Sequence, residues 1–442
     1  MLRLDKLVPP SFYLILVSLF LHIGIYAHTL DLLLIGGHEM LTLLVKILSD
    51  FAVLPNPVLP AMARYLLALM LTDSRHEARM AAKITGCHES QFSRLLNRPD
   101  AMKIAKISLN RAARRRLAVL DKLIAHGKQP LLIVDATLIG RRGKKIQNCG
   151  RYNHGKGHVR GHKFTNFLLL LDDVAIPLGT LAHYTRDYCE EQGLDYKTEA
   201  QMVKDWIHWF PSSGLVTKDQ IKHIHFVFDS GYDVKAIQCA VNRIGSHFTM
   251  SIKTNRIVDG INVKEYFRRH RHLPWQTIRI KSGSGGKGSR RTYRTRHQAR
   301  VKLKGCGLVT LICSEMKRKG NGQIVRKYLV SSDHSLSVRE VIEIYKKRWA
   351  VESWHKEMKQ NHGYRDARYA RFGAIEAHVN LCLTAYNLVN EGISGLVRKG
   401  VTVREYMVAS ENEKSAQTIN LFGGKARLKQ QATAAMEKIK VA

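Results

Sequence analysis

KFTNFLLLLDDVAIPLGTLAHY, from Lys163 to Tyr184, is a pair of apolar runs of strand length with Asp172 and Asp173 between them. Runs this short, broken by two turn-forming acids, predict a buried hairpin, with the acids as turn residues and not metal ligands. Two further apolar runs flank it, LLIVD at Leu131–Asp135 and HFVFD at His225–Asp229. Their near-continuous hydrophobicity is that of strands covered on both faces. Between the hairpin and HFVFD, Thr198 to Trp209 has a helix-compatible pattern. Strand, hairpin, helix, strand describes an α/β core.

Outward from that core the pattern changes. Upstream, Pro60 to Asn97 has helical spacing, and MAAKITGCHESQFSRLLN resembles a helix-turn-helix, with Ala82 at the helix contact, Gly86 at the turn and Phe92 buried. On that pattern Ser90, Gln91, Ser93 and Arg94 face DNA; a plain helical hairpin has the same spacing. Arg111 to Leu120, with RAARRR, reads as a helix leading into the core. Downstream, FTMSIKTN at Phe248–Asn255 predicts a flanking strand. Arg268 to Lys304 then holds about a dozen Lys and Arg and no acid around a flexible SGSGGKGS centre. Strands at Gly307–Cys313 and Val325–Ser331 make this a β-rich insertion, and from Ser337 the chain is helical again, ending in the polar tail Lys425–Ala442.

A 45% hydrophobic share over 442 residues excludes a disordered protein and allows two or three domains. The 71 Lys and Arg against 36 Asp and Glu leave a net charge of +35, which points to a polyanionic partner, nucleic acid before ribosome or membrane surface. The seven cysteines are scattered without paired C-x-x-C spacing, which fits a reduced chain without a zinc module. Ser11–Ala27 is a charge-free apolar run after Arg3 and Lys6. It has the look of a signal or anchor, yet it is short for a span and contains His22 and Gly24. A buried helix, or an extension ahead of a true start at Met40, accounts for it as well, and membrane association is not expected.

Cutting and rejoining phosphodiesters with two metal ions needs about three convergent carboxylates. Asp135 and Asp229 each close an apolar strand, so parallel neighbours would present both at one edge of the sheet. A strand-end Asp is also a common turn or cap residue. The third acid is sought in IYKKRWAVESWHKEMKQNHG, where Tyr345, Arg348, Glu352 and Lys359 occur. On one continuous helix they fall at roughly 0°, −60°, −20° and −40°, a single stripe. Glu352 can then bind metal while Arg348, Lys359 and the Tyr345 hydroxyl, with Lys356 nearby, hold phosphate oxygens. An ordinary surface helix with an Arg348–Glu352 ion pair fits the same spacing.

Tyr345-x2-Arg348-x3-Glu352-x6-Lys359 resembles the Tyr-Arg-Glu-Lys signature of the insertion-sequence-four family of bacterial transposases, which includes the transposon-five enzyme. Asp135 in LLIVDATLI and Asp229 in FVFDSGYD, continued through Gly231, Tyr232 and Asp233, resemble that family's two other acidic motifs. The resemblance spans roughly Leu131 to Asn390 and implies a ribonuclease-H-like catalytic core with a β-rich insertion, preceded by a helical DNA-binding region. It implies Asp135, Asp229 and Glu352 as catalytic metal ligands for two Mg2+, with Mn2+ a substitute. DNA contacts are expected from Tyr345, Arg348, Lys356 and Lys359 on the helix-stripe reading and from Arg94 on the helix-turn-helix reading. Ser230 is secondary, and Asp233 reads as a helix cap rather than a ligand. Double-stranded DNA, both element end and target, is the implied substrate of a homodimer working in the bacterial cytoplasm at the nucleoid. Relatives that pass through a DNA hairpin flip a base onto an aromatic, for which Trp275 is available though no motif aligns it.

The expected organisation is an apolar extension over 1–40, a helix-turn-helix-like region over 41–125, the core over 126–395 with its basic insertion at about 256–335, and a helical C-terminal region with polar tail over 396–442. The rival expectation is a non-catalytic DNA-binding regulator or an inactive transposase remnant. A structure-selective nuclease without strand transfer is a second.

Overall fold

The computed structural model describes residues 58–72, 75–155, 157–172, 174–281, 290–317 and 322–391. The Ser11–Ala27 run, Met40, Asp173, the SGSGGKGS segment and the C-terminal tail lie outside the described residues. Helices α1 (Leu59–Leu71), α2 (Ala78–Thr85), α3 (Glu89–Asn97), α4 (Ala101–Arg116) and α5 (Leu120–Ala125) come first. Strands β1 (Leu131–Gly140), β2 (Gly150–His154), β3 (Gly157–Leu171) and β4 (Val174–Ala182) follow, then α6 (Arg186–Gln192), α7 (Glu199–Trp209) and α8 (Lys218–His223). Next are β5 (His225–Phe228), α9 (Lys235–Arg243), β6 (His247–Ile252), β7 (Ile257–Val258), β8 (Ile261–Asn262) and α10 (Val263–Arg269). The described chain closes with β9 (Gln276–Lys281), β10 (Arg290–Leu303), β11 (Gly307–Lys317), β12 (Ile324–Ser331), α11 (Val338–Lys347), α12 (Ala350–Asn361) and α13 (Phe372–Glu391).

These elements fall into two compact units. Among the described residues, the first gathers 58–116, Ile139–His162 and 355–391. Its core is helical, with α13 lying along α4 and α1. α1 is apolar nearly all round and accordingly buried, from Met62 to Met70. The polar groups that α13 carries inside are paired: Glu376 with Lys106 at 2.8 Å, and Asn387 with Arg116 at 3.3 Å. α2 ends at Gly86, whose φ of 65° suits only a residue without a Cβ penalty, and α3 starts with the His88 side chain accepting from Ser90 N. Two helices joined by a turn are therefore present, a geometry that a helix-turn-helix and a plain helical hairpin share, with Phe92 fully buried as expected. Ala78 and Ala81, not Ala82, are the small buried residues of α2.

The second unit holds Leu117–Leu138 and Lys163–Trp354 and is built on a mixed sheet. β3 and β4 form the expected antiparallel hairpin, with Asp172 at φ 52° in its turn. β1, β5 and β6 are parallel neighbours, so the strand order β4–β3–β1–β5–β6 is a ribonuclease-H-like α/β core. Thr198 caps α7 through a full capping box with Gln201, which starts that helix one residue after the hairpin-to-helix reading began it. The β-rich stretch after β6 does not stand apart from this sheet. β12 pairs with β6, Val330 opposite Met250, and β11 and β10 continue outward from it. α11 packs on β5 and β6. Among the described residues no helix is long and apolar enough to cross a membrane.

Candidate active site

Val134 of β1 lies opposite Phe228 of β5 in parallel register, so Asp135 and Asp229 follow side by side on adjacent strands. The strands leading to them are wholly buried, which fixes where the two carboxylates emerge. Only Asp229 ends its strand. It caps the 3-10 turn Ser230–Tyr232, its Oδ1 accepting from Gly231 N at 2.6 Å. Asp135 does not close β1, which runs on to Gly140, because β1 keeps β3 as a neighbour after its pairing with β5 stops.

Glu352 sits in the first turn of α12 with its side chain 42% exposed. Arg348 joins it to Asp135: Nη2 lies 3.0 Å from Glu352 Oε1 and Nη1 lies 3.8 Å from Asp135 Oδ2. The guanidinium is almost fully buried, and its Nε finds no acceptor among the described residues. The single-helix stripe is corrected here. α11 ends at Lys347 and α12 begins at Ala350, with Arg348 N bonding Tyr345 O and Glu352 N bonding Trp349 O in tight three-residue steps. That tightening lets Arg348 turn inward while Trp349 is left 54% exposed. Tyr345 is buried, with Lys327 Nζ 5.4 Å from its ring centre.

Burial lifts the Asp135 carboxyl to about 6; Arg348 opposes this, while Asp229 and Glu352 add to it by repulsion. Three crowded carboxylates and one arginine leave negative charge in excess, and an all-oxygen donor set suits a hard divalent ion such as Mg2+. As the side chains stand, with Arg348 between Asp135 and Glu352, no three His, Cys, Asp or Glu groups among the described residues converge on one metal position. In donor chemistry and charge the three acids fit such an ion, on condition that Arg348 gives way.

The other anticipated residues are distributed differently. Lys356 and Lys359 follow Glu352 along α12 into the first unit, where burial and Arg365 lower the Lys359 ammonium. Arg94 is exposed on α3, its guanidinium bonded to Ser90 at 3.3 Å. Asp233 does not cap α9, where Val234 holds the N-terminal position; it closes the Ser230–Tyr232 turn. The buried Asp233 instead accepts from Lys253 N at 2.9 Å and pairs with Arg256 at 3.1 Å. Trp275 already has the guanidiniums of Arg294 and Arg296 over its ring, at 4.5 and 4.8 Å, so it is not a free platform for a base.

Two features escaped the sequence. A cleft of about 1040 Å³ is lined by Arg279, Lys281 and Arg290 from β9 and β10, and by Arg339, Lys346 and Lys347 from α11, with Glu343 as its one acid. The basic run Arg268–Lys304 signalled half of it, but the contribution of α11 needed the fold. The second is Glu199, to which Lys163, Thr165 and Tyr232 all donate. No local motif marks that convergence.

Compared with known sequence families, residues 194–388, which contain Asp229 and Glu352, match the Transposase DDE domain. Residues 59–272, which contain Asp135 and Asp229, match the DDE superfamily endonuclease. No curated protein matches the chain. Over two overlapping stretches between residues 59 and 388 the chain is thus similar to DDE-type transposase and endonuclease domains.

Proposed function

We propose that this chain is a transposase that binds the ends of an insertion sequence, cleaves the DNA to expose 3′-hydroxyls and joins those to target DNA. The observation that carries the proposal is the adjacency of Asp135 and Asp229 on parallel strands, with Arg348 linking Asp135 to Glu352. Asp135, Asp229 and Glu352 would hold Mg2+, with Mn2+ a substitute. What a bound pair of such ions supplies is activation of the attacking oxygen and stabilisation of the leaving one. No side chain is needed as a nucleophile; water and then the DNA hydroxyl attack.

The chain's own groups bind and orient. The buried Arg348 Nε–H lacks an acceptor, and a phosphate oxygen is the acceptor that would satisfy it. A bound phosphate would also draw the guanidinium off Asp135 and Glu352. Tyr345, Lys356 and Lys359 are proposed as further phosphate contacts, and Arg94 as a contact from α3. The six cations of the α11 cleft suit a DNA backbone. The Tyr-Arg-Glu-Lys spacing supports membership of the insertion-sequence-four family, and with it a homodimer on paired ends.

A plasmid-to-plasmid joining assay in Mg2+ with the native element ends tests this. Glu352→Gln, Asp135→Asn and Asp229→Asn are expected to abolish joined product while end binding persists. Arg348→Ala is expected to weaken binding and joining together by about 10- to 100-fold, the worth of one charge-assisted contact. End binding by wild type with no joining would favour a DNA-binding regulator instead. Nicking without joining would leave a nuclease.

A further inference from the structure

Glu199 is a shielded carboxylate that the proposed chemistry does not use. It begins α7 with its side chain 25% exposed and satisfies three donors from two other places in the second unit, β3 and the turn after β5. Its Oε1 accepts from Thr165 Oγ1 at 2.9 Å and from Tyr232 OH at 2.8 Å, and its Oε2 accepts from Lys163 Nζ at 2.5 Å. Thr165 belongs to β3, and His183, just beyond β4, places Nε2 2.8 Å from the Thr165 hydroxyl. That hydroxyl has one proton, which it gives to Glu199, so His183 must donate to it from Nε2. The imidazole is neutral, since burial holds it down at about 4. One carboxylate then balances one ammonium, with two donors on Oε1 and one on Oε2.

The partner that gives this cluster a purpose is Tyr232. It is the last residue of the Ser230–Tyr232 turn that Asp229 caps, and its ring packs 5.9 Å from that of Phe228, at the end of β5. Asp229 is gripped from within its turn by Gly231 N, while the far end of the same turn is tied by the Tyr232 hydroxyl to α7 and β3. Tyr232 is also near enough to feel the charge of Asp135. A turn of three residues has little stiffness of its own, so a fixed direction for Asp229 needs an outside anchor.

We propose that Glu199 and Tyr232 form a positioning pair that locks the turn after β5, so that Asp229 is presented beside Asp135 in the orientation a divalent ion requires. This rests on the acidic-site reading above and assigns to two residues outside the acids control over metal affinity rather than over DNA binding.

The test uses the full chain and two readouts: the Mn2+ concentration for half-maximal joining, and the Mn2+-induced rise in melting temperature without DNA. Tyr232→Phe removes one oxygen and keeps the ring. It and Glu199→Gln are each expected to raise the half-saturating Mn2+ about 10-fold in both readouts, as loss of a group supporting a ligand does. The double variant is expected to be no worse than the worse single one, because both break the same link. End binding by mobility shift should stay within twofold of wild type. Tyr232→Phe with unchanged Mn2+ half-saturation overturns the pair, as does loss of end binding in step with joining. Asp135→Asn is the control: if it keeps a wild-type Mn2+ response, the acidic-site reading fails, and this proposal with it.

Discussion

Asp135 shows what the site costs the fold. Its carboxyl stands at about 6 instead of the ordinary 3.8, chiefly because it is buried, even with Arg348 at 3.8 Å. A raised carboxylate is disfavoured in its ionised form by folding. The penalty is therefore present above pH 6 and disappears as pH falls towards 3.8. Asp135→Asn should accordingly stabilise the chain by roughly 2–3 kcal/mol at pH 8 in a chelator, the equivalent of that displacement. The gain should shrink as pH falls through 6. Thermal unfolding across pH, with wild type alongside, measures it; an Asn variant less stable than wild type at pH 8 would mean that the Arg348 contact outweighs the burial. Saturating Mg2+ should stabilise wild type but not the variant, which joins the stability measurement to the proposed chemistry.

At the scale of elements, the placement of the acids depends on how closely β1 approaches its neighbour. Gly161 of β3 has the Ile139 carbonyl where a Cβ would stand, well inside contact distance, with backbone on both sides and no flexible side chain to yield. Gly161→Ala should force β3 away from β1 and lower the melting temperature by several degrees, an effect of about 2–3 kcal/mol. Gly157→Ala, in the same strand with open space around it, is the matched control and should change little. Equal melting temperatures for the two variants would show that the strand can shift without loss. The break between α11 and α12 belongs to this scale too. Local tightening, not a stripe of one regular helix, aims Arg348 at Asp135 and Glu352 while turning Trp349 outward.

For the whole molecule, pH sensitivity follows from buried imidazoles. His183 and His225 in the second unit, and His162 and His378 in the first, are each held down at about 4 by burial, and His355 at about 3. A histidine whose folded value is depressed stays neutral inside while the unfolded chain takes up its proton near 6.5. Stability is then full above 6.5 and is lost as pH falls from there towards 4. Each such group is worth on the order of 3 kcal/mol over that window. Together they exceed the usual margin of a folded domain, so the chain should unfold cooperatively near pH 5. Circular dichroism from pH 8 to 4 reads this directly. A native signal persisting at pH 4 would mean that these imidazoles become protonated without unfolding. The net charge of +35 acts in the same direction, since self-repulsion grows as carboxylates are neutralised.

What the sequence determined by itself was local. Short apolar runs became β1, the β3–β4 hairpin, β5 and β6, because a strand buried on both faces must be apolar over its length and cannot hide that. The acids at Asp135 and Asp229 were legible as neighbours of such runs, and Glu352 from its spacing to Tyr345, Arg348 and Lys359. What only the tertiary structure decided was non-local. That β1 continues past Asp135, that Arg348 touches two of the acids, and that Trp275 is already covered all depend on partners distant in sequence. Lys163, Thr165, His183, Glu199 and Tyr232 meet only because the hairpin, α7 and the turn after β5 come together. Hydrogen bonds between such separate segments leave no period or spacing in the chain, and so nothing for a sequence to display.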